Sequence, residues 1–301
     1  MVSKTLCAEV SSGGSEPLAA TASRVDHWIL VEYRGLWDRD VLGGSLLSPR
    51  LKAHFRDQLA RLPHSRLLFI KKPERRSYGR RTLYFGSSRP GAERFYTLEF
   101  DRHDDLVDLD FASALTGGGT PAVPVDEPLL VVCTHGKRDR CCAKYGRPLY
   151  EALCRAGGTE SVWQSTHVGG DRFAGNVVCL PQGLYFGRVG VGDVGSLLEH
   201  YRGGRIWLDG YRGRAFHTFP VQAAEQLVRE ETGLVGIDEV AFEGLERVGE
   251  GWSVRLRAGG EVHEVEVVAE RADEPVYLTC GSVTPQLARR YLATSRRVLD
   301  R

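Results

Sequence analysis

The apolar run Leu129–Val132 ends at Cys133, and a second strand-like segment, Ser161–Val168, carries His167 near its end. Between them Cys141–Arg155 has helical periodicity, with Tyr145, Leu149 and Leu153 on one face. Strand, helix and strand joined in this way force the two strands to run parallel. Their C-terminal ends then lie on one sheet edge, where the helix also begins. The chain is thereby expected to gather Cys133, Cys141 and His167 at that edge, with Asp171 in the loop that follows. At a helix start, the macrodipole and free N–H groups favour a thiolate at Cys141. Cys142 points about 100° away around the helix, so only one of the two cysteines readily faces the site. Gly169 and Gly170 permit a sharp backbone turn beside it.

The rest of the chain arranges itself around this unit. Residues 1–24 are polar and Gly/Ser-rich and read as an extended lead-in. His27–Tyr33 reads as a buried strand. Ser48 and Pro49 form a helix start, with Leu51, Phe55, Leu59 and Leu62 on one face of the helix. Arg66–Lys71, Thr82–Gly86 and Arg94–Phe100 are strands, and Gly117–Pro124 reads as a linker. Past the linker, Asn176–Leu180 and Gly183–Val189 suggest a hairpin around Pro181-Gln182-Gly183, and Asp193–Tyr201 a helix. The resulting β-α-β-β-β-α order is that of a thioredoxin-like domain, placed at 126–220. An α/β domain at 1–120, a possible diverged version of the same unit without evident sequence repetition, precedes it. A small α+β module at 221–301 follows, with a helix at Val221–Thr232. Its strands are expected at Val240–Glu246, Trp252–Arg257, Val262–Ala269 and Val276–Thr279, and a closing helix at Pro285–Ser295.

Composition excludes some function classes. Of the 301 residues, 42% are hydrophobic and 26% charged, with a net charge of +1. This is ordinary globular usage, with no overall field for nucleic acid or a membrane surface. No apolar run has membrane-spanning length, and the N-terminus lacks a signal-peptide core, so a cytoplasmic protein is expected. The seven cysteines are odd in number and mostly clustered within 133–179, which favours a metal, cluster or redox site over structural bridges. Cys154 and Cys179 read as core residues. Taken singly, Cys133, His167 and Asp171 also have ordinary structural roles. Their coincidence on one edge is what points to chemistry.

Zinc would accept such donors, but the seven residues between Cys133 and Cys141 do not make a zinc knuckle. A Cys-x-x-Cys dithiol is absent from the sequence. A [2Fe-2S] cluster with two cysteine and two other ligands is chemically reasonable, and imidazole ligation raises its potential. Gly190-Val-Gly192-Asp-Val-Gly195, with Asp209 beyond, mimics a dinucleotide fingerprint. It reads better as a turn and the last helix of the domain, because the strand before it belongs to a hairpin.

The segments Cys133-Thr-His-Gly-Lys-Arg-Asp-Arg-Cys141 and His167-Val-Gly-Gly-Asp171-Arg-Phe-Ala-Gly-Asn176 resemble the sucrase/ferredoxin-like family, most strongly over 126–205. The resemblance implies a thioredoxin-like ferredoxin domain in which two cysteines and two histidines bind one [2Fe-2S] cluster. It carries ligand roles to Cys133, Cys141 and His167. Asp171 stands at the second histidine position, which leaves the fourth ligand open among Asp171, Cys142 and Cys280. No pair of carboxylates suits glycoside hydrolysis. The expected function is electron transfer or redox sensing, with an unidentified redox partner protein and as carrier rather than self-contained enzyme. The alternatives are a thiol oxidoreductase using Cys141, and a non-catalytic protein with structural zinc.

Overall fold

In the computed structural model, residues 6–14, 16–73, 79–116, 118 and 120–299 are described. Residues 1–5 and 15 of the expected lead-in, and 117 and 119 of the expected linker, lie outside them. The chain forms two compact units. One comprises Arg24–Val168 and Val177–Gly183; the other combines the N-terminal residues up to Ser23 with Gly169–Asn176 and the chain from Leu184 onward.

In chain order, α1 (Cys7–Gly13) belongs to the second unit. The first unit then runs β1 (His27–Glu32), α2 (Pro49–Arg61), β2 (Ser65–Lys71), β3 (Arg81–Ser87), β4 (Arg94–Phe100), α3 (Phe111–Leu115), β5 (Val123–Val125), β6 (Leu129–Cys133), α4 (Arg140–Gly157), β7 (Val162–Ser165) and β8 (Val177–Leu180). Helix α2 starts as the sequence predicts: Ser48 Oγ accepts the Leu51 N–H at 3.2 Å, and Pro49 opens the helix. Leu51 and Phe55 pack with Phe69, Leu83, Phe85 and Phe111 in the core beneath it.

The sheet of this unit has an internal symmetry. Strands β1 and β2 are parallel with α2 between them, and β3 lies antiparallel beside β1. Strands β6 and β7 are parallel with α4 between them, and β8 lies antiparallel beside β6. The halves join through β2 and β7, antiparallel, with Ile70 opposite Ser165. The order β8-β6-β7-β2-β1-β3 therefore reads alike from both ends. The N-terminal strands are a structural counterpart of the second half, as the element order suggested. Because Cys133 pairs with Ser165 and Glu32 with Ile70, Glu32 occupies the position that Cys133 holds in the other half. The linker region carries a strand the sequence reading lacked. Val123–Val125 pairs with β4, and Pro124 is tolerated at this sheet edge.

The second unit continues with β9 (Leu184–Phe186), α5 (Val194–Arg202), β10 (Tyr211–Arg214), α6 (Phe219–Thr232), β11 (Val240–Val248), β12 (Gly251–Ala258), β13 (Glu261–Val276) and β14 (Gln286–Leu299). Strand β9 pairs antiparallel with β10, so the Gly190–Gly195 motif does not follow a parallel strand. It forms a short turn into the nine-residue helix α5. Strands β11–β14 make an antiparallel sheet, and α6 packs Val221, Ala224 and Val228 against Val254, Leu256, Val265 and Val267.

Three expectations require correction. The lead-in contains α1, whose Cys7, Ala8 and Ser11 are buried. One local and one distant partner hold its end: Ser11 Oγ donates to Glu16 at 2.6 Å, and Arg188 donates to the Ser11 carbonyl at 2.8 Å. The expected closing helix at Pro285–Ser295 is the strand β14. Its arginines match acidic residues directly across β13, Arg297 opposite Glu264 and Arg290 opposite Glu270, and both pairs form ion pairs. The strand expected at Val276–Thr279 ends at Val276, the last residue of β13.

Candidate metal centre

Cys133 is the last residue of β6, and Asp139 caps α4 by accepting the Cys141 N–H at 2.8 Å. This cap sets the phase of the helix. Cys142 Sγ comes within 3.8 Å of His167 Nδ1, and Cys133 Sγ within 3.9 Å of the same atom. The ligand atoms of Cys133, Cys142 and His167 all lie within 4.8 Å of one another. Both cysteines are buried and His167 is half-buried. The structure thus joins Cys133 and His167, as expected, and brings the second cysteine of the helix pair, not Cys141, to them. Gly146, one helical turn after Cys142, rests on the end of β6: a Cβ there would overlap the Cys133 carbonyl oxygen.

His167 is held by its neighbours in sequence. The Phe69 N–H donates to Thr166 Oγ1 at 3.0 Å, the Thr166 N–H donates to the Phe69 carbonyl at 2.9 Å, and Arg66 donates to the Val168 carbonyl. On the opposite strand, Thr134 Oγ1 donates to Gln164 at 2.9 Å, fixing the residue after Cys133.

The electrostatics suit a bound cation. A hydrogen bond from Cys142, then the His167 ring and a backbone hydrogen bond at residue 135, hold the Cys133 thiol well below the ordinary thiol range, although burial acts the other way. His135, which sequence reasoning passed over, is 1% exposed and stands edge-on to Trp37. Neither of its ring nitrogens has a hydrogen-bond partner of normal geometry among the described residues. Burial lowers its pKa, against the opposing influence of the Cys133 thiolate and the Asp38 backbone. Two convergent soft sulfurs, an imidazole and an orphaned buried histidine nearby make a donor set that fits a thiophilic metal or an iron–sulfur cluster.

Asp171 and Cys280 belong to the second unit. Asp171 is buried in a short helical turn after Gly170, whose φ is +81°. The buried Arg212 braces this loop, donating to the Asn176 side chain at 2.7 Å and the Gly169 carbonyl at 3.1 Å. Cys280 lies 3.5 Å from Cys7, Sγ to Sγ. Cys179 is buried in β8, where burial pushes its thiol above the normal range and the expected core role fits; Cys154, late in α4, is only half-buried.

The family model for sucrase/ferredoxin-like proteins matches residues 18–213. The chain belongs to the sucrase/ferredoxin-like family. It is similar to altered inheritance of mitochondria protein 32 of the yeast Meyerozyma guilliermondii, at 34% identity over 99 residues, or 30% of this chain. That match spans 35% of the yeast protein's length. Among solved structures, the thioredoxin-like [2Fe-2S] ferredoxin of Aquifex aeolicus matches at 19% identity, with a TM-score of 0.26, over 29% of this chain and 91% of that one. A cysteine-to-serine variant of that ferredoxin matches with a TM-score of 0.27, at 19% identity over 29% of this chain and all of that one.

Proposed function

We propose that this protein is an electron carrier or redox sensor that holds one [2Fe-2S] cluster on Cys133, Cys142 and His167. The observation that carries the proposal is the convergence of two thiols and an imidazole within 4.8 Å of one another. Membership of the sucrase/ferredoxin-like family supports it. Such a cluster supplies a one-electron couple whose potential rises when imidazole replaces thiolate. Cys133 and Cys142 would bind as thiolates, a form that the lowered Cys133 pKa favours. His167 would bind as neutral imidazole through Nδ1, which lies 3.9 Å from Cys133 Sγ and 3.8 Å from Cys142 Sγ. Asp171, four residues after His167, is the sequence-based candidate for the fourth ligand. Helix α4 and strands β6 and β7 position the donors, of which both cysteines are buried. A redox partner protein and a cytoplasmic setting complete the proposal.

Purification without oxygen, followed by iron and acid-labile sulfide quantification, tests this reading. About two irons and two sulfides per chain are expected for one [2Fe-2S] cluster. One zinc per chain with no sulfide would replace it by a structural zinc centre. A second reading rests on the low Cys133 pKa beside Cys142: thiol–disulfide exchange between this pair and a substrate disulfide. Turnover in metal-free protein that Cys133→Ser abolishes would favour it.

A further inference from the structure

We propose that a basic cavity at the seam between β2 and β7 binds a small phosphate-bearing molecule. Arg34, Lys71, Lys72 and Arg147 line a cavity of about 480 Å³, together with Glu151 and Gln164. Lys71 and Gln164 face each other across the seam. Arg147 and Glu151 are exposed on α4, one turn apart. Among the described residues, four cations therefore line one cavity with a single carboxylate, an arrangement that favours entry of an anion.

Two of the cations already serve the fold. Arg34 pairs with the buried Glu32 at 2.8 Å, and Lys72 donates to the Glu160 carbonyl at 2.7 Å. The other two do not. Lys71 has no carboxylate partner among the described residues; its ammonium lies 4.2 Å from the centre of the Trp37 ring. Arg147 makes no hydrogen bond or ion pair among the described residues and has its planar donor fork available. Burial, then the Arg147 charge, lowers the Lys71 pKa, a conflict that an anion bridging the two side chains would relieve.

The volume falls within the range of small-molecule sites. An ammonium and a guanidinium side by side suit a group with several charged oxygens on one centre, which is phosphate chemistry more than that of a single carboxylate. None of the three donors Cys133, Cys142 and His167 lines this cavity.

Calorimetric titration of the full-length protein with inorganic pyrophosphate tests the proposal. Saturable binding of one pyrophosphate per chain is expected. Lys71→Met and Arg147→Met should each weaken it at least tenfold, whereas Arg61→Met, an exposed cation on α2, should leave it unchanged. Arg147 is exposed, so its variant retains the fold and keeps the test decisive. Absence of saturable binding would overturn the proposal, as would equal weakening by Arg61→Met. Protein stripped of metal should give the same isotherm, so failure of the iron–sulfur reading and failure of this one remain distinguishable.

Discussion

At the scale of single residues, the centre depends on one helical phase. Cys141 and Cys142 are adjacent and both buried, yet only Cys142 approaches Cys133 and His167. Cys142→Ser is expected to lose at least nine-tenths of the bound iron, as is Cys133→Ser. Cys141→Ser should retain most of it; iron analysis of matched preparations checks the contrast. Equal loss from Cys141→Ser and Cys142→Ser would mean that the helix phase does not select the ligand. The choice was partly legible. Cys142, Gly146, Leu149 and Leu153 recur at spacings of four, three and four, and all are buried. That stripe, read with Gly146 as the point of close approach to the strand, selects Cys142. A stripe built from Tyr145, Leu149 and Leu153 does not. His135 left no such signal, because its burial against Trp37 depends on a contact between segments far apart in sequence.

At the scale of elements, the packing of α4 onto β6 turns on Gly146. Gly146→Ala must displace either the helix or the Cys133 carbonyl. It should destabilise the protein by about 2 kcal/mol, as overpacking of a well-filled core does, and lower iron content as well. Thermal melts and metal analysis of the variant test this together. In the second unit, α6 buries Glu225 against Arg229, at 2.9 Å, with His217 and Arg214 nearby. Burial raises the Glu225 pKa, but these cations outweigh it and hold the carboxyl below its ordinary 4.5. A depressed folded pKa means that the stabilisation is complete above the unfolded value and lost as pH falls through the folded one. Glu225→Gln should therefore melt well below the wild type at pH 7, by on the order of 3 kcal/mol. The gap should narrow steadily below pH 4.5. A gap independent of pH would refute the role of the ionised carboxylate. Elements with strong local signals were readable: the Ser48–Pro49 start of α2, the periodic α4 and the alternating β12. Strand β14 was not, because its Leu, Ala and Arg residues favour helix locally. Only the cross-strand charges of β13, unseen until the register is known, decide otherwise.

At the scale of the whole molecule, two βαβ halves of the first unit share one sheet, and the convergent Cys133, Cys142 and His167 found among the described residues lie in the second half. The α/β class and the element order of both halves could be read from the chain. The way they join could not, since it rests on the β2–β7 pairing. In the first half, Glu32 stands in place of Cys133 and is buried, pairing with Arg34 and accepting the Thr82 N–H at 2.9 Å. Removing one partner of such a pair leaves a buried charge uncompensated. Glu32→Ala should cost about 3 kcal/mol in denaturant unfolding. The iron bound per folded chain should be unchanged. Iron loss in folded Glu32→Ala would show that the two halves do not divide stability and chemistry in this way. The cluster proposed for the second half is tested most directly by EPR of the reduced, anaerobically purified protein. A spin-half signal of about one spin per chain, accompanied by two irons and two sulfides, is the predicted result. Colourless, EPR-silent protein that takes up no iron on reconstitution would contradict it.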